Sequence, residues 1–186
     1  MRIPTLGDHP HLSDVFNAFP ESVKPLLEYH DILLRAPSPL SVGERELIAA
    51  FVSGLNSCHF CYGAHKIIAE AAGIPDDLFE GLIADIDNAD ISDKLKPIFR
   101  YVKVLTESPS NARDAHTQAI RDAGWDDRAI HDTVAVCALF NLMNRLVEGM
   151  GVETSDAVQQ KQRQRNSSIS NTQYQDFGRM LGIISK

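Results

Sequence analysis

Nowhere in this 186-residue chain do Val, Ile and Tyr gather into alternating runs bounded by turn pairs, which leaves helices as the building unit. Apolar spacing predicts helices over 12–18, 21–35, 42–55, 58–72, 75–85, 92–107, 111–123, 126–149 and 155–164, with a last one around 172–183. Several carry start or stop signals. Ser41-Val42-Gly43-Glu44 has the form of a capping box, in which Ser41 caps and Glu44 reaches back to the cap N–H. Pro75-Asp76-Asp77 and Asp126-Asp127 open two other helices, and Gly73 and Gly151 stand where helices should stop. The expected fold class is all-α.

A chain of this length fits one domain with an appended tail, and we place the domain at 1–153 and a C-terminal helical tail at 154–186. The tail is rich in Gln, Asn and Ser before apolar spacing returns at Tyr174, Phe177, Met180, Leu181 and Ile184, a stripe able to dock on its own domain or on a neighbouring subunit. A formal net charge of −7 argues against nucleic acid as a partner, because phosphate binding needs a basic field. The one basic cluster, Lys161 to Arg165, reads as a solvated helix face. No apolar run approaches a membrane span, and Met1-Arg2-Ile3-Pro4-Thr5 does not read as a signal peptide, so no membrane partner and a cytoplasmic location are expected. In that reducing compartment a CxxC pair is catalytic or metal-binding more often than a structural disulfide.

Such a pair is present as Cys58-His59-Phe60-Cys61, with His65 one helical turn after the second thiol and Glu46 one helix upstream. Residues three or four apart share a helix face, so Cys58 can face Cys61 and His65 stacks over Cys61. A cysteine is a nucleophile only as its thiolate, and three features could supply it. A chain break at Asn56-Ser57 would put Cys58 at a helix N-terminus, His65 is a base, and Glu46, which capping does not use, can act on either. We expect Cys61 to attack and Cys58 to resolve the sulfenic acid as a disulfide, although spacing alone leaves the order open. Zinc uses the same CxxC spacing, and Cys58, Cys61 and His65 could be completed by water or His59. There is no second Cys/His pair with finger spacing, so neither a metal nor a cofactor is expected.

The remaining candidates read as structural. Cys137 sits in an apolar run as a small buried residue. His9, His11, His30 and His116 have no carboxylate or cysteine at useful spacing, and His131 beside Asp132 reads as a satisfied helix position. Asn141, Asn144 and Arg145 interrupt an apolar helix, as a structural network, an oligomer contact or a lining of the thiol pocket. A shift of 83 positions lays Cys58 on Asn141, Cys61 on Asn144 and His65 on Glu148. Read as a repeat, this would be a duplicated helical hairpin whose second copy lacks thiols.

The stretch from Ser41 to Ile74 resembles the carboxymuconolactone decarboxylase/alkyl hydroperoxidase D superfamily, whose redox branch carries E-x11-C-x-x-C-x-x-x-H, matched by Glu46, Cys58, Cys61 and His65. Gly124-Trp125-Asp126, Phe140 to Arg145 and Gly149 to Val152 resemble the peroxidase-related group within it. The resemblance implies an all-α bundle built on a repeated helical hairpin and assembled as a homo-oligomer: a trimer, a hexamer or a related dimer. It implies reduction of an alkyl hydroperoxide without haem or metal, with electrons from a lipoyl or thioredoxin-like dithiol. Better-studied members carry a histidine just before the second cysteine. Here that position is Phe60 and the histidine is His59, turned about 100° away on a helix, which leaves a shorter proton relay. Two alternatives stand beside the peroxidase: a lactone decarboxylase-like lyase, in which a paired thiol would be idle, and an oligomer whose dithiol senses redox state without turning over.

Overall fold

The computed structural model describes residues 3–154 and 172–185. The helix expected over 155–164 and the basic cluster at 161–165 lie outside them. Among the described residues there are nine α-helices and no strand. They are α1 (Leu12–Ala18), α2 (Val23–Leu34), α3 (Val42–Leu55), α4 (His59–Ala71), α5 (Leu78–Ala84), α6 (Lys96–Glu107), α7 (Asp114–Asp122), α8 (Asp127–Met150) and α9 (Gln175–Met180).

Helix α3 is the axis of the bundle because it is apolar nearly all round, with every residue from Leu47 to Val52 buried. It forms a hairpin with α4 and packs also on α8, α6 and α5. Its start is the expected capping box: the Glu44 N–H donates to Ser41 Oγ at 3.2 Å and the Ser41 N–H to Glu44 Oε2 at 2.7 Å. Asp126 caps α8 by accepting from the Ala129 N–H at 2.8 Å, and Gly151 ends it at φ 72°. Helices α5 and α7 each begin three residues later than expected, at Leu78 and Asp114, and two further boundaries differ for local reasons. Helix α6 begins at Lys96 rather than near 92, because Pro97 sits at its start and its ring would collide with the carbonyl four residues back. Helix α9 is shorter than expected and is followed by a left-handed Gly182 at φ 73°.

The turn between α3 and α4 places the first thiol. Ser57 takes a left-handed φ of 56°, and the Cys58 N–H then donates back to the Ser53 carbonyl at 2.9 Å. Helix α8 holds this turn. The Asn56 amide donates to Asn144 Oδ1 at 2.9 Å and to Asn141 Oδ1 at 3.1 Å, while Asn144 Nδ2 donates to Ser53 Oγ at 2.9 Å. The 83-residue echo is not a second hairpin, because its two halves fall on the single uninterrupted α8.

Residues 172–185 lie against α1 and α2. Phe16, Val23, Leu27 and Ile184 form a small second core with Phe177 and Leu181 beside it. Asp31 of α2 accepts the main-chain N–H groups of Tyr174 at 2.5 Å and Gln175 at 3.1 Å, where the first turn of α9 has no partners of its own. No helix among the described residues is long and apolar enough to cross a membrane.

Candidate active site

Cys58 is the N-cap residue of α4 and Cys61 lies in its first turn; neither is in a disulfide, and they are 0% and 3% exposed. The two sulfurs are not equivalent. The Cys61 thiol lowers the Cys58 pKa below the ordinary thiol value; burial opposes this and the Cys61 main-chain N–H reinforces it. Helix N-termini stabilise thiolates by this means. Cys61 is pushed the other way, by the Cys58 sulfur and by burial, with Asn144 alone among the main influences favouring its ionisation. Glu148 of α8 works against a thiolate at both positions. Of the two thiols, Cys58 is therefore the more acidic, with the Cys61 thiol as hydrogen-bond donor beside it.

Glu46 is fully buried near the middle of α3 and is the acceptor of a three-donor cluster. Arg35 Nη1 donates to Oε1 at 2.6 Å, the Tyr174 hydroxyl to the same oxygen at 2.8 Å, and His65 Nδ1 to Oε2 at 2.6 Å. Burial opposes ionisation of this carboxyl, but its partners His65 and Arg35 outweigh it and hold the pKa below the usual carboxylate value. An ionised Glu46 fixes the proton of His65 on Nδ1 and leaves Nε2 for other chemistry. Phe140 meets the imidazole edge-on with ring centroids 4.3 Å apart, which fixes the ring plane. Arg35 lies over the Tyr174 ring, 4.7 Å from its centroid.

Cys61 and His65 share the wall of a cavity of ≈ 280 Å³. The rest of that wall is largely carbon, with Leu27, Phe60, Ile68 and Met143 among its residues, and Tyr174 and Phe177 close it from the C-terminal segment. Its remaining polar group is His30, whose Nδ1 is bound to the Leu26 carbonyl at 2.8 Å. Burial depresses the His30 pKa to about 4, so the ring is neutral near pH 7. Cys58 borders a different cavity, ≈ 250 Å³, together with Ser53, Ser57, His59 and Tyr62. His59 is exposed, whereas Phe60 enters the apolar cavity. Among the described residues, no three His, Cys, Asp and Glu side chains converge on a point that could hold a metal ion.

Of the four residues singled out by sequence, Cys58 and Cys61 stand at the turn of the α3–α4 hairpin, while Glu46 and His65 meet further along it; Cys61 and His65 share a cavity and Cys58 faces another. Sequence reasoning missed three others. His30 comes from α2 and Arg35 from the residue that follows it, and no spacing links them to the thiols. Tyr174 is 109 residues from its contact His65, and only its place in an apolar stripe was visible. Asn144 was noted as polar in an apolar helix; it serves both readings, bracing the turn before Cys58 and facing Cys61. Cys137 is buried as expected, 3.5 Å from Thr106 Oγ1.

No protein-family model matches the chain, and no curated protein matches it. Solved structures do, among them the following three. An uncharacterized peroxidase-related protein from Silicibacter sp. TM1040 has a TM-score of 0.73 at 23% identity, over 80% of this chain and 78% of that one. A second, from Ralstonia eutropha JMP134 and described as an alkylhydroperoxidase AhpD core, has a TM-score of 0.73 at 24% identity over the same shares, 80% and 78%. A protein of unknown function from Agrobacterium tumefaciens, provisionally described as an antioxidant defence protein AhpD, has a TM-score of 0.67 at 18% identity, over 76% of this chain and 95% of that one. At these identities the likeness is one of architecture: the chain has the all-helical fold of the alkylhydroperoxidase AhpD core.

Proposed function

We propose that this protein is a thiol-dependent peroxidase that reduces an alkyl hydroperoxide with the Cys58/Cys61 dithiol and is restored by an external dithiol. The observation that carries the reading is the shared wall: Cys61 and the Glu46-oriented His65 border one apolar cavity. The names of the structural neighbours, peroxidase-related and antioxidant, point the same way.

In the cycle, Cys61 passes its proton to His65, whose Nε2 is left free by the Glu46 contact at Nδ1. The Cys61 sulfur then attacks the terminal oxygen of the hydroperoxide, the O–O bond breaks, and the alkoxide leaves and takes up a proton to become the alcohol. Cys61 is now a sulfenic acid. Cys58 attacks its sulfur, a disulfide forms and the hydroxyl departs as water, so that two thiols and one hydroperoxide give one disulfide, one alcohol and one water. A lipoyl or thioredoxin-like dithiol reduces the disulfide by exchange. His65 serves as the proton relay at the departing oxygen, with Glu46 holding its ring in place. The lyase alternative has less support, since among the described residues a lactone carboxylate would meet no lysine or arginine on this wall and Arg35 is already paired with Glu46.

The test is mass spectrometry of the fully reduced protein before and after one equivalent of cumene hydroperoxide, followed by non-reducing peptide mapping. A rapid Cys58–Cys61 disulfide with Cys137 untouched, recycled by dihydrolipoamide at constant oligomer size, is expected. Thiols that ignore peroxide would overturn the reading. A disulfide that forms, changes the oligomer size and is not recycled would replace it with the redox-sensing one.

A further inference from the structure

The C-terminal segment enters the site more deeply than a stabilising tail needs to. Glu46 is fully buried, and the lone pairs of its two carboxylate oxygens call for hydrogen-bond donors. His65 fills one oxygen, and the other is shared between Arg35 at 2.6 Å and the Tyr174 hydroxyl at 2.8 Å. The same hydroxyl lies 3.4 Å from His65 Nδ1, at the junction between carboxylate and imidazole. Its ring is held from two sides, with the Arg35 guanidinium 4.7 Å and the His30 ring 5.1 Å from its centroid. Its main chain is held by Asp31 and, two residues earlier, by Arg35 Nε on the Thr172 carbonyl at 3.0 Å. One guanidinium thus binds the Thr172 carbonyl of this segment, the Tyr174 ring and the Glu46 carboxylate.

We propose that Tyr174 is a positioning residue of the dithiol site: its hydroxyl fixes the Glu46 carboxylate and, through it, the orientation of His65 on the cavity that Cys61 lines. The inference rests on the site described above but not on peroxide turnover. The charged and titratable groups facing Tyr174 are Asp31 and His30 from α2, Arg35 just after it, Glu46 from α3 and His65 from α4. Burial, then the Glu46 charge, raise the Tyr174 pKa well above the ordinary phenol value, so the hydroxyl remains a donor wherever thiols titrate. Phe177, one turn further on, closes the same cavity and packs on Phe16 at a centroid distance of 5.8 Å, which ties the position of the hydroxyl to the docking of the whole segment.

The experiment compares the full-length reduced protein with Tyr174→Phe, which keeps the ring and removes only the hydroxyl. Tyr29→Phe, at an exposed tyrosine, is the control. Iodoacetamide alkylation of Cys58 and Cys61 is followed as a function of pH by peptide mass spectrometry, alongside the melting temperature and hydroperoxide consumption. Losing one donor to a charged group should move the pH midpoint of alkylation by roughly half a pH unit or more in Tyr174→Phe and leave Tyr29→Phe on the wild-type curve. If the protein also turns over peroxide, kcat should fall about tenfold with KM little changed. A Tyr174→Phe profile superimposed on the wild type, even with a lowered melting temperature, overturns the proposal, because the tyrosine is then only structural. Faster alkylation at every pH with an unmoved midpoint also overturns it, since the segment would then merely shield the thiols. A moved midpoint in a protein that consumes no peroxide sustains the positioning role while the peroxidase reading falls.

Discussion

Cys58 and Cys137 are almost equally buried, at 0% and 2% exposure, yet their thiols are driven in opposite directions. Cys137 lies in the middle of α8, where main-chain N–H groups are spent within the helix. Its neighbours are Thr106 Oγ1 and Asn141 Nδ2, both at 3.5 Å, and burial outweighs them and raises its pKa. Cys58 stands one residue ahead of α4, where the N–H groups have no helical partner, and it has a second thiol to donate to it. Burial alone therefore does not decide thiol chemistry in this bundle. Position on the helix and the identity of one neighbour do.

The contrast can be broken most sharply by removing the thiols one at a time. Cys58→Ser and Cys61→Ser should each abolish hydroperoxide turnover, and peroxide-dependent sulfenate should be trapped in Cys58→Ser, where Cys61 lacks its resolving partner. Sulfenate trapped only in Cys61→Ser would reverse the order of attack, giving Cys58 the first step. Next in size is Glu46→Gln. It leaves the Arg35 guanidinium, with its side chain 10% exposed, without a counter-charge. Removing one partner of a buried pair costs about 3–5 kcal/mol, which urea unfolding would read. A loss within error of zero would mean that water reaches this cluster and that the dithiol side is no drier than the Cys137 side.

The third expected effect is a dependence on acid. An unfolded chain protonates His30 as pH falls below 6.5, whereas the native ring remains neutral down to about 4. The native state thus binds fewer protons over that interval, and stability should decline as pH falls through it, by about 3 kcal/mol in all. Urea midpoints collected across the window should show this slope in the wild type, and His30→Gln should flatten it. The Glu46 cluster adds to acid sensitivity lower down. Its carboxyl is depressed, so its contribution is intact above the ordinary carboxylate pKa of 4.5 and is lost as pH falls through the native value. Smallest is Cys137→Ser, a buried thiol exchanged for a hydroxyl with Thr106 and Asn141 close by. It should cost about 1 kcal/mol in thermal or urea unfolding and leave turnover unchanged. A substantial fall in turnover would draw the third thiol into the mechanism and erase the comparison.

The tail offers a second contrast with the hairpin. Cys58, Cys61 and His65 are neighbours because one helix carries them at intervals of three and four residues, which is visible in a string of letters. Tyr174 meets the same cluster by a contact spanning 128 positions to Glu46. Its stripe showed that residues near 174–184 would pack somewhere, but a polar linker gives no direction to that packing.

What the sequence by itself determined is whatever depends on short spacing. The helices, the Ser41 and Asp126 caps, the Gly151 stop, the break at Ser57 that puts Cys58 at an N-terminus, and the dithiol with its histidine all follow from residues a few places apart. That information is local because helix hydrogen bonds and capping join residues within one turn. Only the tertiary structure decided which donors surround Glu46, which thiol is the more acidic, and which cavity each thiol meets. Those depend on side chains from α2, α8 and the C-terminal segment converging on one point. Electrostatics in a dry interior is set by what lies within a few ångströms in space, whatever its distance along the chain.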